Sequence, residues 1–188
     1  MIYFTSDLHF GHNNILTLGK GRPFKTIEEH DIALINNWNS VVKPGDVVYV
    51  LGDFSMSNNI DTLRKYLIQL KGAKHLILGN HDRVKLHAAL LKENLWQSIR
   101  PYHRIKVKLK DNTPVVISLL HFPILEYDGA FKANYYHLYG HVHNINNYDN
   151  IYKQLNFKAM NVGVDVNNFK PVSIEETWKF VNKMVNNE

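Results

Sequence analysis

Five short blocks of this 188-residue chain carry side chains able to bind metal ions. They are Asp7-Leu8-His9, Gly52-Asp53, Gly79-Asn80-His81-Asp82, His121 and Gly140-His141-Val142-His143. Taken singly, most are ordinary. An Asp-x-His pair often arises by chance, Gly-Asp serves many turns, and a lone histidine is more often structural than a ligand. Gly140-His141-Val142-His143 says more, because alternate residues can face the same way and both offer an imidazole nitrogen. Together, Asp, His and Asn make a donor set suited to divalent first-row metals. A carboxylate can bridge two such cations, and ions about 3.5–4 Å apart form a hydrolytic clamp. A hydroxide held between them is a nucleophile at neutral pH. The same charges neutralise a phosphate as its transition state forms.

Such side chains need rigid elements to aim them, and the hydrophobic pattern supplies candidates. Short apolar runs predict strands at 2–5, 47–51, 75–78, 115–119, 135–139 and 160–164. Residues 105–109 pair with 115–119 as a hairpin around Asp111-Asn112. Helical spacing follows a Thr26/Glu29 capping box up to Pro44-Gly45, recurs over 60–70 and 85–93, and closes the chain from a Ser173/Glu176 capping box to about 185. One arrangement recurs. A short buried strand ends, and Asp, Asn or His follows at once. In α/β folds ligands bind beyond the carboxyl ends of strands, so these blocks are expected along one shared edge.

Composition narrows the class. With 45% hydrophobic and 12% aromatic residues the chain reads as globular, and its length suits one domain over 1–188. No apolar run is long enough to span a bilayer. The start, Met1-Ile2-Tyr3-Phe4-Thr5-Ser6-Asp7, lacks the basic region of a signal peptide, so a cytoplasmic location is expected. The chain has no cysteine, which excludes disulfides, thiolate metal sites and a cysteine nucleophile. The formal charge of +5 is mild, and no basic arm or basic helix points to nucleic acid.

The blocks, complete and in order from Asp7 to His143, resemble the signature of the calcineurin-like metallophosphoesterases. That resemblance implies an α/β sandwich of two mixed β-sheets flanked by α-helices. It implies two divalent metal ions, manganese first, with iron, zinc, nickel or cobalt also suited by the donors. Asp7, His9 and His143 would bind one ion. Asn80, His121 and His141 would bind the other, and Asp53 would bridge them. His81 would face the substrate, stabilising the transition state or protonating the leaving oxygen. Asp82 would orient that imidazole. Two further residues are read from their position alone: His12, close to Asp7 and His9, could reach the phosphate, and Arg22 could offer a fork to its oxygens.

Departures from the family narrow the substrate. Leu78 stands where protein phosphatases of this family usually have arginine, and Phe54-Ser55-Met56 lacks the extra acidic or amide residue of many members. Nothing resembles an added capping domain. The opening from Phe4 to Asn13 is similar to small bacterial and phage members. The expected activity is phosphodiester hydrolysis, on a small phosphate ester such as a nucleotide or short oligonucleotide. A phosphomonoesterase with the same metal site and a non-catalytic binding scaffold of the same fold remain alternatives.

Overall fold

The computed structural model describes residues 1–145 and 148–186. Two mixed sheets lie face to face. The first has the order β4-β3-β2-β1-β9, built from β1 (Ile2–Thr5), β2 (Val47–Val50), β3 (Ala73–Ile77), β4 (Ser98–Arg100) and β9 (Val172–Ser173). Strands β1 to β4 run parallel and β9 is antiparallel to β1. The second has the order β5-β6-β7-β8, from β5 (His103–Lys108), β6 (Pro114–Leu119), β7 (Tyr135–Tyr139) and β8 (Ala159–Asn161). Here β5 and β6 form the expected antiparallel hairpin, and β6, β7 and β8 run parallel.

Strand alternation divides the apolar residues between two cores. Phe4, Leu51 and Ile77 of the first sheet meet Ile105, Ile117, Leu119, Tyr136, Leu138 and Met160 of the second. From the other face of the first sheet, Val48, Val50 and Leu76 pack against helices α1 (Ile27–Val41), α2 (Ile60–Leu67) and α3 (Val84–Lys92), through Leu34, Trp38, Leu63, Leu67 and Leu90. Burying each such side chain contributes about 1.5–3 kcal/mol. Beside the second sheet, Tyr152 of α4 (Tyr148–Gln154) packs on Tyr139 and Ala159, while α5 (Ile174–Asn186) adds Ile174 and Val181 to the inter-sheet core.

The cap bond forms at both boxes, with Glu29 N–H donating to Thr26 Oγ1 at 3.2 Å and Glu176 N–H to Ser173 Oγ at 3.3 Å. The Glu176 carboxylate accepts in return from Ser173 N–H at 2.8 Å, whereas that of Glu29 accepts from Lys25 N–H at 2.9 Å. Among the strands and α-helices, three lie outside the sequence-based expectation. β4 and β9 are short edge strands, and α4 is too polar to show a clear apolar stripe. The strand expected at 160–164 ends at Asn161, because the chain turns where the Asn161 side chain accepts from Gly163 N–H at 2.8 Å and Gly163 bridges to Ser6. No helix among the described residues is long and apolar enough to cross a membrane.

Candidate metal centre

The parallel strands end along one edge, and the polar blocks follow from it. Asp7 and His9 lie beyond β1, Asp53 beyond β2, Asn80 and His81 beyond β3, His121 beyond β6, and His141 and His143 beyond β7. The backbone there is unusual. Asp7, His9, Asp53, His141 and His143 all have positive φ, between 48° and 69°. For an L-residue that conformation costs about 1–2 kcal/mol. Strain of this kind gathers at functional sites, where the surrounding structure enforces it.

Hydrogen bonds enforce it here. Asp7 N–H donates to Gly52 O and His9 N–H to Asp53 O, each at 3.0 Å, so the β1 and β2 loops are laced together. The Asp7 carboxylate accepts from His141 N–H at 2.9 Å, which ties the first sheet to the second. Close approach also needs glycine. A Cβ at Gly79 would strike the Asp53 carboxylate, and one at Gly140 would strike Ser6 and Asp7.

Two clusters result, Asp7/His9/His143 and Asp53/His121/His141, each with its ligand-type atoms within 4.8 Å of one another. One Asp53 oxygen, Oδ1, accepts from His81 N–H at 2.9 Å. The other, Oδ2, lies 3.6 Å from His9 Nε2 and 3.4 Å from His121 Nε2, and so faces both clusters. Asn80 Oδ1 is 3.0 Å from His121 Nε2. Two donors each about 2.1 Å from a shared ion stand about 3.0–3.4 Å apart, so these spacings suit common coordination.

Two of these histidines are set to present Nε2. His121 Nδ1–H donates to Leu51 O at 2.7 Å, and His143 Nδ1–H donates to Asp165 Oδ2 at 2.8 Å. Fixing the proton on one ring nitrogen frees the other as a ligand. His9 Nε2 is buried with no hydrogen-bond partner, an orphan that a cation would satisfy.

Electrostatics agrees. Burial pulls His9 down to about 2, so its imidazole is neutral. Burial pushes the Asp7 carboxyl up to about 6, against the pull of His121 and His143. Asp53 behaves oppositely: burial would raise it, but His121 and the His81 N–H hold it at about 2. Burial opposes a charge on His121, yet Asp53 and Asp7 raise it to about 9. The proton they favour sits where a cation would. The donor set therefore fits divalent cations.

The sequence model of the calcineurin-like phosphoesterase family matches residues 1–180. The chain belongs to the calcineurin-like phosphoesterases. Metal-dependent phosphoester hydrolysis is accordingly its class of activity. Among relatives of this phosphoesterase, an uncharacterized protein of Methanocaldococcus jannaschii is 33% identical over 97% of this chain and 92% of its own length. The gene 66 protein of Mycobacterium phage D29 is 34% identical over 65% of this chain and 63% of its own length. A crystal structure of a protein of unknown function from Aquifex aeolicus superposes with a TM-score of 0.71 at 30% identity, covering 96% of this chain and 98% of that one.

Two expectations for this calcineurin-like phosphoesterase need correction. Arg22 is no phosphate fork. It is 5% exposed, and every N–H of its guanidinium is engaged inside the protein. Nε and Nη2 donate to the two Asp165 oxygens at 2.8 and 2.9 Å, Nη2 also to Asp7 O at 2.7 Å, and Nη1 to Leu8 O at 3.1 Å and His30 Nε2 at 2.7 Å. It is a strut beneath the Asp7–His9 loop.

Asp82 does not orient His81. The turn folds its carboxylate back to accept from Gly79 N–H at 2.8 Å and from Asp53 and Phe54 N–H at 3.0 Å each. It therefore fastens the β3 loop to the β2 loop. His81 is exposed, its ring has no hydrogen-bond partner among the described residues, and it meets His9 edge-on at 5.7 Å. His12 lies on the rim with Nδ1 3.3 Å from His9 Nδ1.

Sequence reading missed Asp165. Its carboxylate holds both His143 and Arg22, and Arg22 leads on through His30 to Asp31 at 2.8 Å. A signal was present: Gly163-Val164-Asp165 follows the expected 160–164 strand in the same way that the other blocks follow theirs. Phe122 forms a wall against His121 and His141, with ring centroids 5.0 and 4.7 Å away.

Proposed function

We propose that this chain is a phosphodiesterase working with two divalent cations. Asp7, His9 and His143 hold one, Asn80, His121 and His141 hold the other, and Asp53 is shared. The observation that carries this reading is Asp53 Oδ2, which faces His9 Nε2 and His121 Nε2 at 3.6 and 3.4 Å while its partner oxygen is tethered. When bound, such a pair supplies a nucleophile from water at neutral pH and neutralises charge on the phosphate. The chain's own residues orient and assist. His81, exposed beside the clusters, donates to the leaving oxygen or to the phosphate. His12 contacts the phosphate from the rim. Asp82 and Arg22 keep the ligand loops in register.

A diester is favoured over a monoester because the Asp7/His9/His143 side of the centre has no guanidinium to spare. Arg22, the nearest guanidinium in sequence to the first block, is spent on Asp165. A diester carries one negative charge at the scissile phosphate and a monoester up to two.

The test is hydrolysis of bis(p-nitrophenyl) phosphate beside p-nitrophenyl phosphate by metal-stripped protein, with and without added Mn²⁺. Diester turnover is expected only with metal, at about tenfold or more the monoester rate, the difference that one charged contact can make. Faster monoester turnover would select the phosphatase reading. No turnover of either, across Mn²⁺, Fe²⁺, Zn²⁺, Ni²⁺ and Co²⁺, would select a binding scaffold.

Asp165→Asn is expected to weaken the Asp7/His9/His143 site about 10–100-fold, the usual effect of losing a carboxylate behind a ligating histidine. It should also cost about 3–5 kcal/mol of folding stability, because Arg22 is left buried without its ion pair. Calorimetric metal titration and denaturant unfolding report the two effects. Equal weakening of both sites would contradict the assignment of His143 to the first.

A further inference from the structure

Beside Asn80 and His81 the surface sinks into a pocket of about 150 Å³ bounded by Met56, Asn80, His81 and Arg83. That is the liquid volume of about five waters, room for one phosphate group and too little for a nucleoside. No carboxylate lines it.

Arg83 differs from the engaged arginines. Arg22 is held by Asp165, and Arg64 by Glu93 in a two-pronged ion pair. Arg83 is exposed, and among the described residues its guanidinium has no ion pair and no hydrogen bond. Its place is also wrong for helix stability. It is the N-cap residue of α3, makes no side-chain cap bond, and has no acidic residue in the turn that follows. Ser, Thr, Asp or Asn would cap that end, and a cation there opposes the helix dipole. The arginine therefore adds nothing to the helix end, and it sits at the edge of the pocket two residues from His81 and three from Asn80.

We propose that this pocket holds a second phosphate on the leaving side of the scissile bond, so that the preferred substrates are diesters of diphosphate, R–O–P–O–P–O–R′. The inference rests on the phosphodiesterase reading above. The oxygen of water bonds to the attacked phosphorus as the bond from that phosphorus to the bridging oxygen breaks. The bridging oxygen leaves with the second phosphate, and the protons of water pass to the two product phosphates or to solvent. No oxidation state changes. The Arg83 fork binds two non-bridging oxygens of the departing group, and His81 faces the bridging oxygen as charge builds there.

The test compares two dinucleotides with Mn²⁺-loaded protein: P1,P2-di(adenosine-5′) diphosphate and adenylyl-(3′→5′)-adenosine. Their leaving groups are a nucleoside phosphate and an uncharged nucleoside. The kcat/KM of the diphosphate should exceed that of the monophosphate-linked compound, in part because a phosphate is a better leaving group than an alkoxide. Arg83→Gln should lower that ratio about 10–100-fold, as expected for loss of one charged hydrogen-bonded contact, and Arg83→Lys should recover part of it. A ratio near one in the unaltered protein, or a ratio unchanged by Arg83→Gln, overturns the subsite while turnover of bis(p-nitrophenyl) phosphate leaves the phosphodiesterase reading standing. Absence of turnover of bis(p-nitrophenyl) phosphate and of both dinucleotides overturns the reading, and the subsite with it.

Discussion

Asp53→Asn is expected to empty both halves of the metal centre together. The substitution keeps the shape of the side chain, and an amide oxygen can still accept from His81 N–H, so the β2 and β3 loops should stay joined. What it removes is the charge. Asp53 is held ionised, at about 2, by His121 and the His81 N–H despite its burial. Its free oxygen faces a ring nitrogen of each cluster. Loss of a shared anionic ligand should exceed the about 10–100-fold weakening that loss of a supporting group brings. Activity should fall by about 10³ or more, since nucleophile and charge stabilisation vanish together. Metal analysis after gel filtration, with a melting curve of the stripped protein as a folding control, checks this. One ion retained at normal affinity would argue against a shared carboxylate.

The second large effect separates chemistry from metal binding. His81→Ala should leave both cations bound while kcat falls by about 10²–10⁴, the range for losing an acid–base or charge-stabilising group. The geometry explains the split. The His81 ring is exposed and has no hydrogen-bond partner among the described residues, while the bond that matters to the metal centre comes from its backbone N–H, which alanine retains. An empty metal site in the variant, or a kcat within about tenfold of the parent, would overturn the role.

Much of this architecture is legible in the sequence. The capping boxes at Thr26 and Ser173, the β5–β6 hairpin and the strands of the sheet cores follow from local rules: cap chemistry, alternation and turn residues. The polar blocks after strand ends were equally plain. The failures share a cause. Asp82 neighbours His81 in sequence, which suggested a partnership, but the turn sends its carboxylate to Asp53 and Phe54 N–H some 28 residues away. Gly21-Arg22-Pro23-Phe24 looks like a surface loop until Asp165 arrives from 143 residues along the chain. Strands as short as β4 and β9 carry too few residues to show a period, and only pairing with a neighbour defines them.

The sequence by itself determined the donor chemistry and its order along the chain. Without cysteine, a metal-binding chain of this composition draws its side-chain ligands from His, Asp, Asn or Glu, and short apolar runs followed at once by those residues read as strands ending in polar loops. Tertiary structure alone decided how the donors are presented. Five left-handed backbone residues, the tethered oxygen of Asp53 and the Asp165–Arg22 strut arise from contacts between loops of different strands and sheets. Such contacts have no local signature, because a strained or buried polar conformation is stable only when the packed sheets hold its distant partners in place.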